Sequence, residues 1–444
     1  MANGSINGAD GGGLAPPGPR AGLVPPTRPA ALVLMAAGGA QGALGMVRSL
    51  GRAGVRVIVV TEDPSAPLLK SRHVQRVVPV ESFNRRPTQA AAVVEAVAGA
   101  EAGPPVLFPT ADPDLGMITD HRDRLEPVAR YTSPQAPVVE VCLDKGRFFA
   151  AAAARELPVA PTLIPRSVDD LAPVGDELGF PVILKPLNPR AWAAPEIRSL
   201  VDRRKALLID DRAGLDAAFR AIARHDGEMV VQEYIPGRDD NLYSVHLYLD
   251  RSGVTRAGFV GRKIRTYPAY AGIGCCVTSV ERPDLITLSE TVLTRLGYTG
   301  IALLQYKIHE GTGRPVLLEI NARTSSWNHL ATFCGVDIPL TAYRDAVGED
   351  PGPPPTGRAG VTYIYARPDR LAAPEYLRSG DWTVAQWLRS YRRPHTFQLW
   401  SAEDPWPLLT TLHRRWRAFP GRIRSAVRRR RASPTAGTRS DAAS

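Results

Sequence analysis

Cysteine and histidine are scarce in this chain, which contains four cysteines and eight histidines among 444 residues. The cysteines show no paired metal-binding spacing, and the adjacent Cys275 and Cys276 are poorly placed for a disulfide bond. This scarcity argues against a zinc-cluster protein and against a disulfide-stapled secreted protein. We therefore expect the protein in a reducing cytoplasm.

Long uncharged segments are also rare, and the longest spans residues 29–47. Its length is typical of a signal peptide or a membrane span, but glycines interrupt its second half. A helical pattern and a second apolar strand, VRVIVV at 55–60, follow directly. This order of strand, turn, helix and strand indicates the start of a parallel sheet.

Acidic residues are nearly absent from the C-terminal end. Residues 405–444 contain ten arginines and one acid, Asp441, so this segment carries +9 of the net charge of +11. The rest of the chain is almost neutral, and the basic balance does not indicate nucleic-acid binding by the whole protein. Contact of the arginine-rich tail with nucleic acid or an anionic surface remains a weaker alternative.

The N-terminal part of the chain divides into two regions. Residues 1–28 contain seven glycines and five prolines, a composition that predicts a disordered segment. Apolar strand patterns that alternate with helical patterns then predict a Rossmann-like parallel-sheet domain at residues 29–140. The turn GGAQGALG after the first strand lacks the spacing of a dinucleotide fingerprint, so tight turning explains its glycines.

The second half of the chain has the pattern of antiparallel sheets with helices. LYSVHLYLD and TRAGFVGRKIR predict a hairpin around residues 251–253, and IALLQYKI and PVLLEIN predict another around HEGTGR. An α/β domain is therefore followed by an α+β arrangement in two lobes.

The segment VLLEINAR, residues 316–323, places polar side chains where an apolar strand ends. Glu319, Asn321 and Arg323 occupy every second position, so they share one face of the strand. Two interpretations are open at this point. The face is either exposed to solvent, or it forms a site for a cation and an anion together.

Five short motifs occur in an order that resembles the ATP-grasp superfamily, specifically its carboxylate–amine ligases. The resemblance covers about residues 30–350, and the motifs are LDK at 143–145, ILKP at 183–186, QEYIPG at 232–237, GRKIR at 261–265 and LEINAR at 318–323. It implies a pre-ATP-grasp domain at 29–140, ATP-grasp lobes at 141–213 and 214–355, a C-terminal helical extension at 356–420 and a basic disordered tail at 421–444.

The resemblance also implies which residues bind the nucleotide. Lys145 and Lys185 are expected to bind the ATP phosphates, and a lysine between apolar strand residues at 185 is unusual without such a role. The backbone of Glu233, Tyr234 and Ile235 is expected to meet the adenine edge. For a ribose hydroxyl the candidate is Asp240, and Asp239 is nearly as strong a candidate.

Metal and phosphoryl-transfer roles are implied for the later motifs. Glu319 and Asn321 are the expected Mg²⁺ ligands, with Mn²⁺ as an alternative ion, and Arg323 is expected to stabilise the transferring phosphoryl group. Lys263 and Arg265 lie two apart on one strand and repel each other unless an anion lies between them. We assign them to phosphate and to the acyl carboxylate.

Two features depart from the family pattern. Gln305 occupies the position where the family has its other metal-binding carboxylate, so one negative charge is missing beside the ion. The flap after the second lysine reads NPRAWAAPEIR instead of a glycine-rich sequence, and Trp192 and Lys205 are candidates to cap the nucleotide.

The expected function follows from the resemblance. It implies an ATP- and Mg²⁺-dependent ligase that joins a small carboxylic acid to an amine, amino acids among them. The reaction would pass through an acyl phosphate and release ADP and phosphate. The alternative is an ATP-binding module with reduced or no catalysis, which Gln305 and the unusual flap favour.

Overall fold

The structure is a computed structural model that describes residues 28–187, 192, 194–201, 206–225, 228–270 and 272–417. The segments predicted to be disordered lie outside these residues, apart from Arg28.

The first apolar runs of the chain form a five-stranded parallel sheet in the order β3-β2-β1-β4-β5. Its elements are β1 (Ala31–Met35), α1 (Ala40–Arg52), β2 (Val57–Thr61), β3 (Val74–Pro79), α2 (Pro87–Gly99), β4 (Val106–Pro109), α3 (Asp112–Asp120), α4 (Arg122–Leu125) and β5 (Arg130–Tyr131). Every residue of β1 and β2 is buried. Continuous apolar strands are typical of parallel sheets that are covered on both faces.

A small lobe follows, built on a four-stranded antiparallel sheet in the order β6-β9-β7-β8. Its elements, with two preceding helices, are α5 (Ala136–Leu143), α6 (Lys145–Ala154), β6 (Thr162–Leu163), α7 (Val174–Glu177), β7 (Val182–Pro186), α8 (Pro195–Leu200), β8 (Leu207–Ile209), α9 (Arg212–Ala223) and β9 (Met229–Glu233). In β7, Val182, Leu184 and Pro186 are buried in alternation with partly exposed residues. The alternation directs Lys185 away from the lobe's own core.

The largest sheet has seven strands in the order β14-β13-β10-β11-β12-β15-β16. All neighbours are antiparallel except β15 and β16, which are parallel. The elements of this lobe are β10 (Leu242–Leu249), β11 (Thr255–Tyr267), β12 (Ile273–Ser279), α10 (Pro283–Arg295), β13 (Gly300–Ile308), β14 (Pro315–Asn321), α11 (His329–Phe333), α12 (Ile338–Val347), β15 (Thr362–Ile364), α13 (Ala366–Arg378), α14 (Val384–Ser390) and β16 (His395–Phe397).

Both predicted hairpins are present in this sheet. β10 pairs with β11, and β13 pairs with β14, each in antiparallel register. Gly253 and Gly313 in the two turns have positive φ angles of 81° and 71°, a region that glycine enters without the steric cost of a Cβ atom. The predicted fold class, a parallel-sheet domain followed by a two-lobed α+β arrangement, is confirmed.

The C-terminal extension is more than a group of helices. Its strands β15 and β16 complete the seven-stranded sheet, and residues 406–417 are helical. A clamp joins this extension to the first domain: the buried Arg48 guanidinium of α1 binds the Asp404 carboxylate at 2.9 Å and the backbone carbonyls of Gln398 and Leu399. Asp404 also accepts a hydrogen bond from Ser71. The two ends of the described chain are therefore held together.

All four cysteines are free thiols. None of the helices in the described residues has the length and apolar character that crossing a bilayer requires.

Candidate active site

Two lysines of the small lobe meet at the end of β7. Lys145 begins α6, and its ammonium group donates a hydrogen bond to the carbonyl of Pro186 at 3.2 Å. The Lys185 ammonium donates to the Gln232 side chain at 2.8 Å and lies 5.5 Å from the ring centroid of Phe149. The motifs LDK and ILKP, separated by forty positions in sequence, thus present their lysines at one place.

Both ammonium groups are short of negative charge. Burial, together with repulsion from Lys145, lowers the pKa of Lys185 to about 8, whereas Glu319 opposes the shift. Burial also lowers the pKa of Lys145, again opposed by Glu319. Because Glu319 belongs to the large sheet, it faces both lysines across the gap between the lobes. Two partly buried cations with one carboxylate nearby form a site suited to a polyanion.

The residues predicted to bind metal form one hydrogen-bonded chain. Gln305 of β13 and Glu319 of β14 lie opposite each other in register, and the Gln305 amide donates to the Glu319 carboxylate. The Asn321 amide donates to the same carboxylate at 3.1 Å. Lys263 of β11 donates to the Gln305 carbonyl oxygen at 2.6 Å. The structure therefore brings Lys263, Gln305, Glu319 and Asn321 into direct contact.

This set contains one carboxylate and two side-chain amide oxygens, and both amide oxygens already accept hydrogen bonds, from Lys263 and Arg323. Among the described residues, no three His, Cys, Asp or Glu side chains are grouped to hold a metal ion. Mg²⁺ is commonly held by one or two carboxylates together with substrate phosphates and water. The residues fit an Mg²⁺ ion that takes most of its oxygen ligands from a nucleotide.

Arg323 connects this hydrogen-bonded series of side chains to the first domain. Its guanidinium donates to the side-chain amide oxygen of Asn321 at 3.1 Å and to the carboxylate of Asp112 at 2.7 Å. Asp112 opens α3, directly after the carboxyl end of β4, and was missed from sequence. The signal was present, because polar groups at the carboxyl ends of parallel strands commonly line ligand sites. Asp112 becomes a further candidate residue of this site.

The strand β9 ends at the predicted adenine-binding segment. Glu233 forms a two-pronged ion pair with Arg314 at 2.8 and 2.9 Å, and Ile235 is buried. The Lys307 ammonium lies 5.3 Å from the ring centroid of Tyr234. The backbone polar groups of Tyr234 and Ile235 form no hydrogen bond with another residue that the structure describes. They are free to pair with a purine edge.

Arg265 and the two aspartate candidates are engaged by residues other than Lys263, Gln305, Glu319 and Asn321. The register of β11 shifts between Lys263 and Arg265, and the Arg265 side chain is fully buried in an ion pair with Asp369 at 2.7 Å. A role for Arg265 in binding an anion would require this pair to open. Asp240 pairs with Arg262 at 3.1 Å. The buried carboxylate of Asp239 accepts hydrogen bonds from Thr266 and from the backbone of Tyr270.

The structure describes only part of the predicted flap. Residues 188–191 and Lys205 lie outside the described residues. Trp192 is buried within the small-lobe core, next to Ile197 and Phe219, and does not cover the lysines as a cap.

Known proteins share both sequence and fold with this chain. A family model described as ATP-grasp in the biosynthetic pathway with Ter operon matches residues 225–366. D-aspartate ligase of Enterococcus faecium (strain Aus0004) is 26% identical over 255 residues, which cover 55% of this chain and 59% of that protein. The chain thus matches less than two thirds of the length of this relative.

Solved structures with low sequence identity share the fold. Biotin carboxylase from Campylobacter jejuni, in complex with β-γ-ATP, has a TM-score of 0.57 at 15% identity and covers 74% of each chain. L-amino acid ligase from Bacillus licheniformis has a TM-score of 0.53 at 16% identity and covers 73% of this chain and 75% of that one. The ordered motifs and the family model over residues 225–366 show similarity to ATP-grasp carboxylate–amine ligases, and the chain shares the fold of biotin carboxylase and L-amino acid ligase.

Proposed function

We propose that this protein is an ATP-dependent ligase that joins a carboxylic acid to an amine and releases ADP and phosphate. The observation that carries the proposal is the cleft in which Lys145 and Lys185 face Glu319. Its cations are partly buried and lack matching negative charge, whereas the opposite wall offers oxygen ligands. A metal-bound triphosphate satisfies both walls at once.

Each group of this chain has a distinct part in the proposed reaction. The free backbone of Tyr234 and Ile235 holds the purine edge. Lys145 and Lys185 neutralise phosphate oxygens, so that an anionic carboxylate is able to approach the γ-phosphorus. A bound Mg²⁺ would supply further charge neutralisation at the phosphates, and Glu319 with the neighbouring amides would hold it.

The proposed chemistry consists of two displacements. A carboxylate oxygen of the acid bonds to the γ-phosphorus while the bond from that phosphorus to the β–γ bridging oxygen breaks, and ADP leaves. The amine nitrogen then bonds to the acyl carbon, phosphate leaves with the former carboxylate oxygen, and the nitrogen loses a proton. Lys263 and Arg323 are the cations available to stabilise the charge that develops on the phosphoryl and acyl oxygens.

Small carboxylic acids and amines, amino acids among them, are the proposed substrates. Support comes from the similar proteins, which are named for D-aspartate and for L-amino acids. Arg323 and Asp112 place a cation and an anion between the first domain and the large sheet. Such a pair suits a substrate that carries both a carboxylate and an ammonium group.

A second candidate function is ATP binding with reduced or no catalysis. Gln305 favours it, because this side chain uses its oxygen for Lys263 and its nitrogen for Glu319 and adds no charge for a metal ion. ATP binding without ADP release in any pool of acids and amines would support this candidate.

The test measures ADP release with pools of acids and amines. Lys185→Met and Glu319→Gln should each lower turnover at least a hundredfold, because one electrostatic contact to the reacting phosphates is worth about 3 kcal/mol. Lys70→Met, an exposed lysine of the first domain, is the matched control and should retain full turnover. Stoichiometric AMP in place of ADP, or normal turnover in Lys185→Met, would contradict the proposal.

A further inference from the structure

A cavity with a volume of about 330 Å³ lies between the seven-stranded sheet and the C-terminal extension. Arg262 of β11, Thr278 of β12 and Thr362 of β15 line one side. Trp382, just before α14, and Arg389 of α14 line the other side. The volume is within the range of small-molecule sites.

This cavity lies on the opposite face of the sheet from the candidate active site. Thr278 pairs in register with both Arg262 and Thr362, so these side chains share one face. Lys263, the next residue after Arg262, points to the other face and contacts Gln305. None of the nucleotide or metal candidates of the active site lines the cavity except Asp240, whose carboxylate is turned toward Arg262.

The cavity has more positive than negative side chains. Its lining contains four arginines and two aspartates: Arg238, Arg262, Arg389, Arg393, Asp240 and Asp381. The aspartates are engaged, since Asp240 pairs with Arg262 at 3.1 Å and Asp381 lies 3.6 Å from Arg238. Two positive charges are left over.

The excess charge belongs to Arg389 and Arg393. Both side chains are exposed, and neither guanidinium forms a hydrogen bond or an ion pair with another residue of the described chain. Arg389 lies in α14 and Arg393 lies three residues beyond its end, and both line the same cavity, where their like charges repel each other. An anion between them would relieve this repulsion, and guanidinium groups match the planar or three-fold oxygen arrangement of carboxylate and phosphate.

We propose that this cavity is a second ligand site that binds a small dianion, either a phosphate monoester or a dicarboxylate. The two negative charges of the ligand match the charge excess and lie between Arg389 and Arg393. The indole of Trp382 supplies an apolar wall for the remaining part of the molecule. The site is separate from the cleft between Lys185 and Glu319, because Asp240 is the one candidate residue of that cleft that also lines the cavity.

The test is calorimetric titration of the full chain with inorganic phosphate and, separately, with succinate. The double variant Arg389→Gln/Arg393→Gln should bind the dianion at least tenfold more weakly than the wild-type protein. The matched control is Arg367→Gln/Arg370→Gln, which removes the same charge from exposed positions of α13 outside the cavity, and its affinity should be unchanged. Preference for one probe identifies the class of dianion.

A third variant, Lys185→Met, distinguishes binding in this cavity from anion binding at the candidate active site. Lys185→Met should retain the wild-type affinity for the dianion, since Lys185 does not line the cavity. Thermal melts confirm that each variant is folded before titration. Equal affinity in the Arg389/Arg393 variant and its control would overturn the proposal, and so would loss of binding in Lys185→Met or no binding of either probe at millimolar concentration.

Discussion

Replacing Gln305 by glutamate would add a second carboxylate beside Glu319. In the wild-type protein the Gln305 amide donates to that carboxylate, and its oxygen accepts from Lys263. The substitution preserves the contact with Lys263 and turns it into an ion pair. It replaces the contact with Glu319 by repulsion between two negative groups. We expect the variant to bind a cation at this position more tightly than the wild-type protein does.

The size of the effect follows from Coulomb's law. Two unit charges about 4 Å apart interact by about 1 kcal/mol in water and by about 4 kcal/mol at an effective dielectric constant of 20. Glu319 is exposed, so the lower value applies. Mg²⁺ carries two charges, which gives about 2 kcal/mol of added attraction to the new carboxylate. Each 1.4 kcal/mol is tenfold in affinity, so the midpoint for Mg²⁺ should fall about thirtyfold.

The assay is an Mg²⁺ titration at fixed ATP, with ADP release as the readout. The matched control is Gln75→Glu, the same change at an exposed position of β3 in the first domain, and its midpoint should equal that of the wild-type protein. An unchanged midpoint in Gln305→Glu would remove Gln305 from the metal site. A raised Michaelis constant for one organic substrate, with the Mg²⁺ titration unmoved, would assign Gln305 to substrate positioning instead.

Three further predictions follow from the remaining features. The pKa of Lys185 is lowered to about 8, so the ammonium group loses its proton as pH rises through 8. The affinity for ATP should therefore fall over that interval, and ATP binding should be accompanied by uptake of a proton. A flat profile of ATP affinity from pH 7 to 9.5 would contradict this. Arg265→Met should lower the free energy of unfolding by about 3–5 kcal/mol in denaturant titrations, because it leaves the buried Asp369 carboxylate unpaired. A variant with normal stability and lost turnover would instead support a role for Arg265 in the reaction. Deleting residues 422–444, which contain seven of the ten arginines of the C-terminal segment, should leave ADP release at saturating substrate unchanged, and a loss of activity would show that the tail takes part.

Much of the fold could be predicted because its signals are local. Continuous apolar strands identify the parallel sheet, and glycine-containing turns between alternating strands identify both hairpins. The strands β15 and β16 gave no such signal. Each has three residues, and β15 pairs with a strand more than eighty positions earlier. Short strands formed by distant pairing leave no recognisable period in the sequence.

The candidate site was predictable where one motif acts alone. Alternation along β14 places Glu319 and Asn321 together, and pairing with β13 adds Gln305. Arg265 could not be placed, because its direction depends on a register shift and on the partner that the C-terminal extension supplies. Asp112 depends on how the first domain docks on the large sheet. Such contacts arise from tertiary packing, which spacing along one strand does not encode.

The clamp between Arg48 and Asp404 sets an order for the completion of folding during synthesis. The ribosome delivers Arg48 early and its carboxylate partner 356 positions later. Until then α1 is unable to bury its arginine without leaving a charge uncompensated in the interior, at a cost of several kcal/mol. Domains near the N-terminus commonly fold first as the chain emerges. Here the first domain is unable to complete its packing alone. The ion pair that fixes α1 forms only after Asp404 has been synthesised.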